Sequence, residues 1–274
     1  SWMDRISKAL RLAKERNAEG ESTAANAPDA GSAVDEVVGK IEYSQTRRIK
    51  IPEEVLAENR VLSSFTEAQY IDSYKLLRTR VLRAMQQNKW ITLGITSATA
   101  NVGKTLTAVN LSISTAFKED VTVMLVDADL RRPSVSQTFG LDVQAGLNDY
   151  LRDDVPVEEL LIHPEIERFV VLPNYGTSMG SSEMLASPKM LDLVHDLRSR
   201  YASRIIIFDL PPVLVGDDVV AFAPHLDATI VVVEEGKTQS SELKRSIELL
   251  KDVNVIGTVL NKALESGQDT GYYY

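Results

Sequence analysis

Residues 90–107 read W-I-T-L-G-I-T-S-A-T-A-N-V-G-K-T-L-T, and this stretch restricts the fold more than any other. Residues 91–96 form a short apolar run rich in β-branched side chains, the mark of a buried strand. Small and polar residues follow from Ser97 to Gly103, then Lys104, Thr105 and a helical pattern through Leu106, Val109, Asn110 and Ile113. Strand, small-residue loop, Gly-Lys-Thr and helix together give a phosphate-binding P-loop. Successive backbone N–H groups and the helix N-terminus make a concave anion site, to which Lys104 adds a point charge. The Thr105 hydroxyl is of the kind that can ligate Mg²⁺. The pattern G-x-x-x-x-G-K-[ST] wants glycine at position 98, where this chain has Ala98, and Asn101 stands where many such loops carry glycine. Asparagine is the non-glycine residue that best tolerates positive φ, so the turn is expected to survive.

The rest of the chain alternates in the same way. Strands are predicted at 91–96, 121–126, 169–172, 204–208, 229–234 and 255–260. Helices are predicted at 67–87, 104–118, 182–200, 217–224 and 238–252. Near-continuous apolar strands such as 121–126 and 229–234 are typical of parallel strands covered on both faces. The fold class is therefore α/β: a P-loop NTPase-type, doubly wound, mostly parallel sheet flanked by helices. Ligands in such sheets bind beyond the carboxyl ends of the strands.

Two more predicted strands end in acid at that same edge. One runs into Asp127-Ala128-Asp129-Leu130-Arg131-Arg132-Pro133, the other into Asp209-Leu210-Pro211-Pro212. An aspartate at a strand end is also a common turn former or helix cap, but three strand ends carrying a lysine, a hydroxyl and carboxylates suit phosphoryl transfer. That chemistry needs charge neutralisation, a metal and a group that orients or deprotonates the nucleophile. Asp209 is placed to hold Mg²⁺ with Thr105. Asp127, with Asp129 nearby, either accepts a proton or completes the metal shell. Arg131 could hold a phosphate or a partner carboxylate, and Asn261 sits where an amide could read a nucleotide base.

The ends differ in composition. Residues 1–18 suggest an amphipathic basic helix and 19–64 a linker, its early part rich in Ala, Gly, Ser, Asp and Asn. The domain proper is expected over 65–264, leaving 265–274 as a polar tail that ends in three tyrosines, Tyr272, Tyr273 and Tyr274. A net charge of −9 argues against a nucleic-acid partner. With no cysteine there is neither a disulfide framework nor a thiolate metal site. No apolar run reaches the length of a membrane span, so a cytoplasmic protein is expected.

The segments Thr96-Ser97…Gly103-Lys104-Thr105, Val126-Asp127-Ala128-Asp129-Leu130-Arg131-Arg132-Pro133 and Phe208-Asp209-Leu210-Pro211-Pro212 resemble the Walker A, A′ and B motifs of bacterial tyrosine kinases, the P-loop autokinases of polysaccharide export loci. The resemblance covers roughly residues 65–264. Phe139-Gly140-Leu141…Gly146-Leu147, Val232-Val233-Glu234-Glu235-Gly236 and the segment Ile6-Ser7-Lys8-Ala9-Leu10 are similar to the exosortase-associated branch. The resemblance implies MgATP held by Ser97, Ala98, Thr99, Ala100, Asn101, Val102, Gly103, Lys104, Thr105 and Leu106, with Arg131 and Asn261. Metal ligation falls to Thr105, Asp127 and Asp209, and catalysis to Lys104, Asp127, Asp129 and Asp209. Tyr272, Tyr273 and Tyr274 become the phosphoacceptors. Asp72, Lys75 and Arg78 align with an E-x-x-R-x-x-R oligomerisation motif, although two of the three residues differ and lysine lacks arginine's bidentate fork.

The implied partners are further copies in a ring, a separate membrane activator of the polysaccharide copolymerase type and a phosphotyrosine phosphatase, with recruitment to the inner face of the membrane. Two rival readings are a partition or division-site ATPase and a nucleotide-binding scaffold. The ATPases carry a second loop lysine five residues before Lys104, a position held here by Thr99.

Overall fold

A computed structural model describes residues 46–200 and 203–263. The basic helix expected over 1–18, most of the expected linker, and the tail with Tyr272, Tyr273 and Tyr274 lie outside the described residues.

Eight strands form one sheet: β1 (Arg47–Arg48), β2 (Thr92–Ser97), β3 (Thr122–Asp127), β4 (Ile162–His163), β5 (Phe169–Leu172), β6 (Arg204–Asp209), β7 (Ala228–Glu234) and β8 (Val255–Asn261). Their order is β1-β4-β5-β3-β6-β2-β7-β8. Every pairing is parallel except β4 with β5. The P-loop strand β2 lies between β6 and β7, where chain order reverses across the sheet, the usual place for a ligand crevice.

Alternate side chains of one strand feed two cores, the consequence of a period-two strand covered on both faces. Val123 and Leu125 of β3 enter one cluster with Leu93, Ile95, Phe169 and Ile207. Met124 and Val126 enter the other with Val170, Leu172, Ile206 and Phe208. Ile71, Val81 and Met85 of helix α2 (Ala68–Asn88) and Val109, Leu111 and Ile113 of α3 (Lys104–Ala116) cover the first face. Met190, Leu193, Val194 and Leu197 of α8 (Pro188–Arg200) help cover the second.

The expected linker 19–64 requires correction at its C-terminal end. Residues 46–64 belong to the domain: β1 pairs with β4, and α1 (Glu53–Glu58) supplies Leu56 to the first core. Ile51, Val61 and Leu62 are buried with it. Asn110 of α3 anchors this segment, its Oδ1 accepting from Leu62 N at 2.9 Å and its Nδ2 donating to Arg60 O at 3.1 Å. The segment carries no helical or alternating period because its apolar residues bury through turns and one short helix.

Three short helices also went unpredicted: α4 (Val135–Phe139), α5 (Leu147–Asp153) and α6 (Val157–Leu160). The helix predicted at 182–200 is two, α7 (Ser181–Leu185) and α8. Pro188 has no N–H to continue α7 and opens α8. Ser187 Oγ accepts from Met190 N at 3.2 Å at that start. The helix predicted at 217–224 is α9 (Asp218–Phe222) followed by a 3-10 turn, and α10 spans Ser240–Leu249. Among the described residues no helix is long and apolar enough to cross a membrane.

Candidate active site

The loop after β2 turns twice through left-handed backbone, at Asn101 (φ 63°) and Gly103 (φ 90°). Asparagine fills the position expected of it. Gly103 is required for space as well as conformation, since a Cβ there would lie 2.0 Å from Asn261 Nδ2. That amide does not face away toward a base: it donates to Val102 O at 2.8 Å and braces the loop from β8. Lys237 and Lys262 each donate to Asn101 O at 3.2 Å, and both pair with Glu234. The loop is thus fixed on one side by the β7 and β8 ends. On the other, Leu214 N donates to Ala98 O at 3.1 Å. Ser97 Oγ donates to Thr99 O at 2.7 Å.

Lys104 opens α3 yet is only 9% exposed. Its ammonium lies 3.0 Å from Asp129 Oδ2 and 3.2 Å from Asp209 Oδ1. Burial alone would lower its pKa, but Asp209 and Asp129 outweigh burial and raise it, so it stays charged. Thr105 Oγ1 donates to Asp209 Oδ2 at 2.7 Å. Asp127 and Asp209 are cross-strand partners on β3 and β6, and both are fully buried. Asp127 accepts from Ser134 N and Val135 N, each at 3.0 Å, and so also caps the start of α4. Asp129 accepts from Arg132 N at 3.0 Å. Burial first, then the facing Asp209, drives the Asp127 carboxyl well above the usual carboxylate range. Burial also raises Asp209, against the pull of Lys104 and the Thr105 hydroxyl.

Three carboxylates therefore surround one ammonium, an excess of buried negative charge that a divalent cation would offset. The available donors, carboxylate and hydroxyl oxygens, are those Mg²⁺ prefers. Among the described residues no trio of His, Cys, Asp or Glu is arranged to hold a metal unaided. Mg²⁺ commonly uses one or two carboxylates and completes its shell with water and substrate phosphate. The residues present therefore fit Mg²⁺ with a nucleoside triphosphate.

Lys104, Thr105, Asp127, Asp129 and Asp209 come together as the sequence implied. Leu106 follows them into the first turn of α3. Arg131 lies beside this cluster and is paired through Nε with Asp218 Oδ2 at 2.6 Å. The oligomerisation candidates separate: Asp72 and Lys75 pair with each other on the surface of α2, whereas Arg78 turns inward and donates to Ser114 O at 2.8 Å. Two polar residues of the site were missed. Ser134 Oγ lies 3.0 Å from Thr105 Oγ1, and Asp218 is buried beneath Arg131. Ser134, directly after Pro133, was legible as a turn or cap residue. Asp218 carried no signal apart from the paired acids Asp217-Asp218.

The fold, the loop and the acids around its lysine define a nucleotide-binding P-loop NTPase. The ParA family model, described as NUBPL iron-transfer P-loop NTPase, matches residues 89–271, and the chain belongs to that family. Its relatives fall in a narrower group. The tyrosine-protein kinase YwqD of Bacillus subtilis (strain 168) is 29% identical over 215 residues, 77% of this chain and 90% of that protein. The tyrosine-protein kinase ptk of Acinetobacter johnsonii is 28% identical over 193 residues, 70% of this chain but 26% of its own length. Among solved structures, the VpsO kinase domain superposes with a TM-score of 0.63 at 27% identity, over 71% of this chain and 96% of that one. The chain thus spans most of the first relative and about a quarter of the second. The resemblance to bacterial tyrosine kinases is borne out.

Proposed function

We propose that the protein is an ATP-dependent protein-tyrosine kinase that phosphorylates its own tyrosine cluster, Tyr272, Tyr273 and Tyr274, between subunits. Through that modification it regulates exopolysaccharide synthesis and export. One observation carries the reading: the buried ammonium of Lys104 lies 3.0–3.2 Å from the carboxylates of Asp129 and Asp209 at the mouth of a phosphate loop. Bound Mg²⁺ would draw charge from the phosphates, with Thr105 and Asp209 as the residues that hold it. Loop N–H groups between Ser97 and Thr105 bind and orient the triphosphate. Lys104, together with Arg131, stabilises charge on the phosphoryl group in transit. Asp127, whose pKa is raised, accepts the phenol proton, with Asp129 holding Lys104 beside it.

A ring of copies, a separate membrane activator of the polysaccharide copolymerase type and a phosphotyrosine phosphatase complete the proposal, with recruitment to the inner membrane face. The tyrosine-kinase names of the relatives support it. Because Arg78 is held on Ser114 O, Asp72 is the exposed member of the proposed contact face, with the half-buried Lys75 paired to it. The iron chemistry in the family description finds no thiolate among these 274 residues. A partition-type ATPase is disfavoured by Thr99, which offers no second loop lysine.

Incubation with MgATP followed by phosphotyrosine detection tests the reading. A kinase labels itself and loses the label when residues 272–274 are removed. Phosphate release without labelling would identify an ATPase, and neither activity a scaffold. Mixing Lys104→Met protein, tail intact, with active protein tests transfer between subunits. A Lys104→Met chain that stays unlabelled contradicts transfer in trans.

A further inference from the structure

Asp218 is a buried carboxylate that the kinase chemistry just described does not use. It is 1% exposed on the short helix α9. One oxygen accepts from Arg131 Nε at 2.6 Å and the other from the Ser181 hydroxyl at the start of α7. The space for the guanidinium is supplied by Gly216. A Cβ at that position would lie 2.7 Å from Arg131 Nη2 and 2.9 Å from Asp218 Oδ2. The φ of Gly216 is −174°, a backbone any residue adopts, so what glycine provides here is room. Two residues earlier, Leu214 N bonds to Ala98 O of the phosphate loop. The segment 214–218 therefore ties the loop directly to the arginine. Arg131 itself follows Asp129, the carboxylate on Lys104, by two residues, and Leu130 between them accepts from Ser178 N at 2.9 Å. Among the described residues the two Nη groups of Arg131 carry no hydrogen bond. The Arg131 side chain is 40% exposed.

We propose that Asp218 is a positioning residue that, with Ser181 and the opening at Gly216, aims the free end of the Arg131 guanidinium at the phosphoryl group being transferred. This inference rests on the kinase reading above. The pairing through Nε fixes the plane of the guanidinium, and both Nη groups remain available as a planar fork for phosphate oxygens. A lysine in place of Arg131 would keep the charge and lose the fork.

The test is a double-mutant cycle on self-labelling by the full chain, with Asp218→Asn, Arg131→Ala and both together, read as kcat and KM for MgATP. Fluorescent-nucleotide affinity and melting temperature are measured alongside. Asparagine keeps an acceptor for Ser181. The expected results are a kcat lower by about 10- to 100-fold in each single variant, nucleotide affinity within about twofold, and no further loss in the double variant. Gly216→Ala, which displaces the guanidinium and keeps every charge, should reproduce the kcat loss. NMR of the nucleotide-free protein should show an exchange-protected Arg131 Nε–H that Asp218→Asn abolishes. Additive losses in the double variant overturn the positioning role. So does an Asp218→Asn defect that follows lowered melting temperature and nucleotide affinity, or a fully active Gly216→Ala. If Asp218→Asn fails to fold, Gly216→Ala with the Arg131→Ala background decides by the same criteria. A parent chain that takes up no label overturns the kinase reading and this role together, whereas labelling with an additive cycle overturns this role alone.

Discussion

At single residues, the site combines backbone conformation with buried charge. Asn101 holds a left-handed conformation that asparagine accepts and most residues do not. Asn101→Gly should change stability by no more than about 0.5 kcal/mol, while Asn101→Ala should cost about 1 kcal/mol and weaken nucleotide binding; chemical denaturation and nucleotide titration check both. Asp127 and Asp209 have raised folded-state pKa values. A carboxyl raised on folding binds protons more readily in the native state. The metal-free protein should therefore gain stability as pH falls through the raised values toward the unfolded carboxylate value near 3.9, until other carboxylates titrate. Asp127→Asn should raise the melting temperature of the metal-free protein at pH 7 by about 2–4 °C and lower self-labelling at least about 100-fold. A lower melting temperature would show that its bonds to Ser134 N and Val135 N outweigh charge relief.

Asp227 behaves in the opposite way at the start of a strand. Burial pushes its carboxyl up, but Ile91 N, Thr92 N, the Thr92 hydroxyl and Arg198 together bring it below the ordinary value. Its stabilising effect is present above the unfolded value near 3.9 and is lost as pH falls through the lower folded value. Asp227→Asn should cost about 1–3 kcal/mol at pH 7 and flatten that acid limb in a pH series of denaturation curves. The segment before α2 makes a second element-scale test. Leu56→Ala should cost about 2–5 kcal/mol; no measurable loss would return residues 46–64 to the status of a linker.

Elements with a strong period were legible from sequence. The predicted strands 121–126 and 204–208 fall within one residue of β3 and β6, because continuous apolar runs bounded by acid leave little choice. The elements between 133 and 168 and before 64 were not legible. They are four to seven residues long or paired through two residues, too short for a period to show, and their place is set by tertiary contacts such as Asn110 with Leu62. The same limit applied in the site. Lys104, Thr105 and the three acids could be read because each sits on a motif, whereas Asp218 is defined by a side chain 87 residues away.

Over the whole molecule, three strand ends bring one buried lysine and three buried carboxylates together inside an acidic chain of net charge −9. Each phosphate added to the tail would contribute about −1.5 to −2 charges, so full labelling of three tyrosines should loosen a ring of like-charged copies. The most direct measurement is intact-mass and tandem mass spectrometry of the full chain before and after MgATP, beside Lys104→Met alone. The account predicts successive phosphate increments on the active chain, mapped to Tyr272, Tyr273 and Tyr274, and none on Lys104→Met. An unmodified active chain, or equal modification of the Lys104→Met chain by itself, would contradict it.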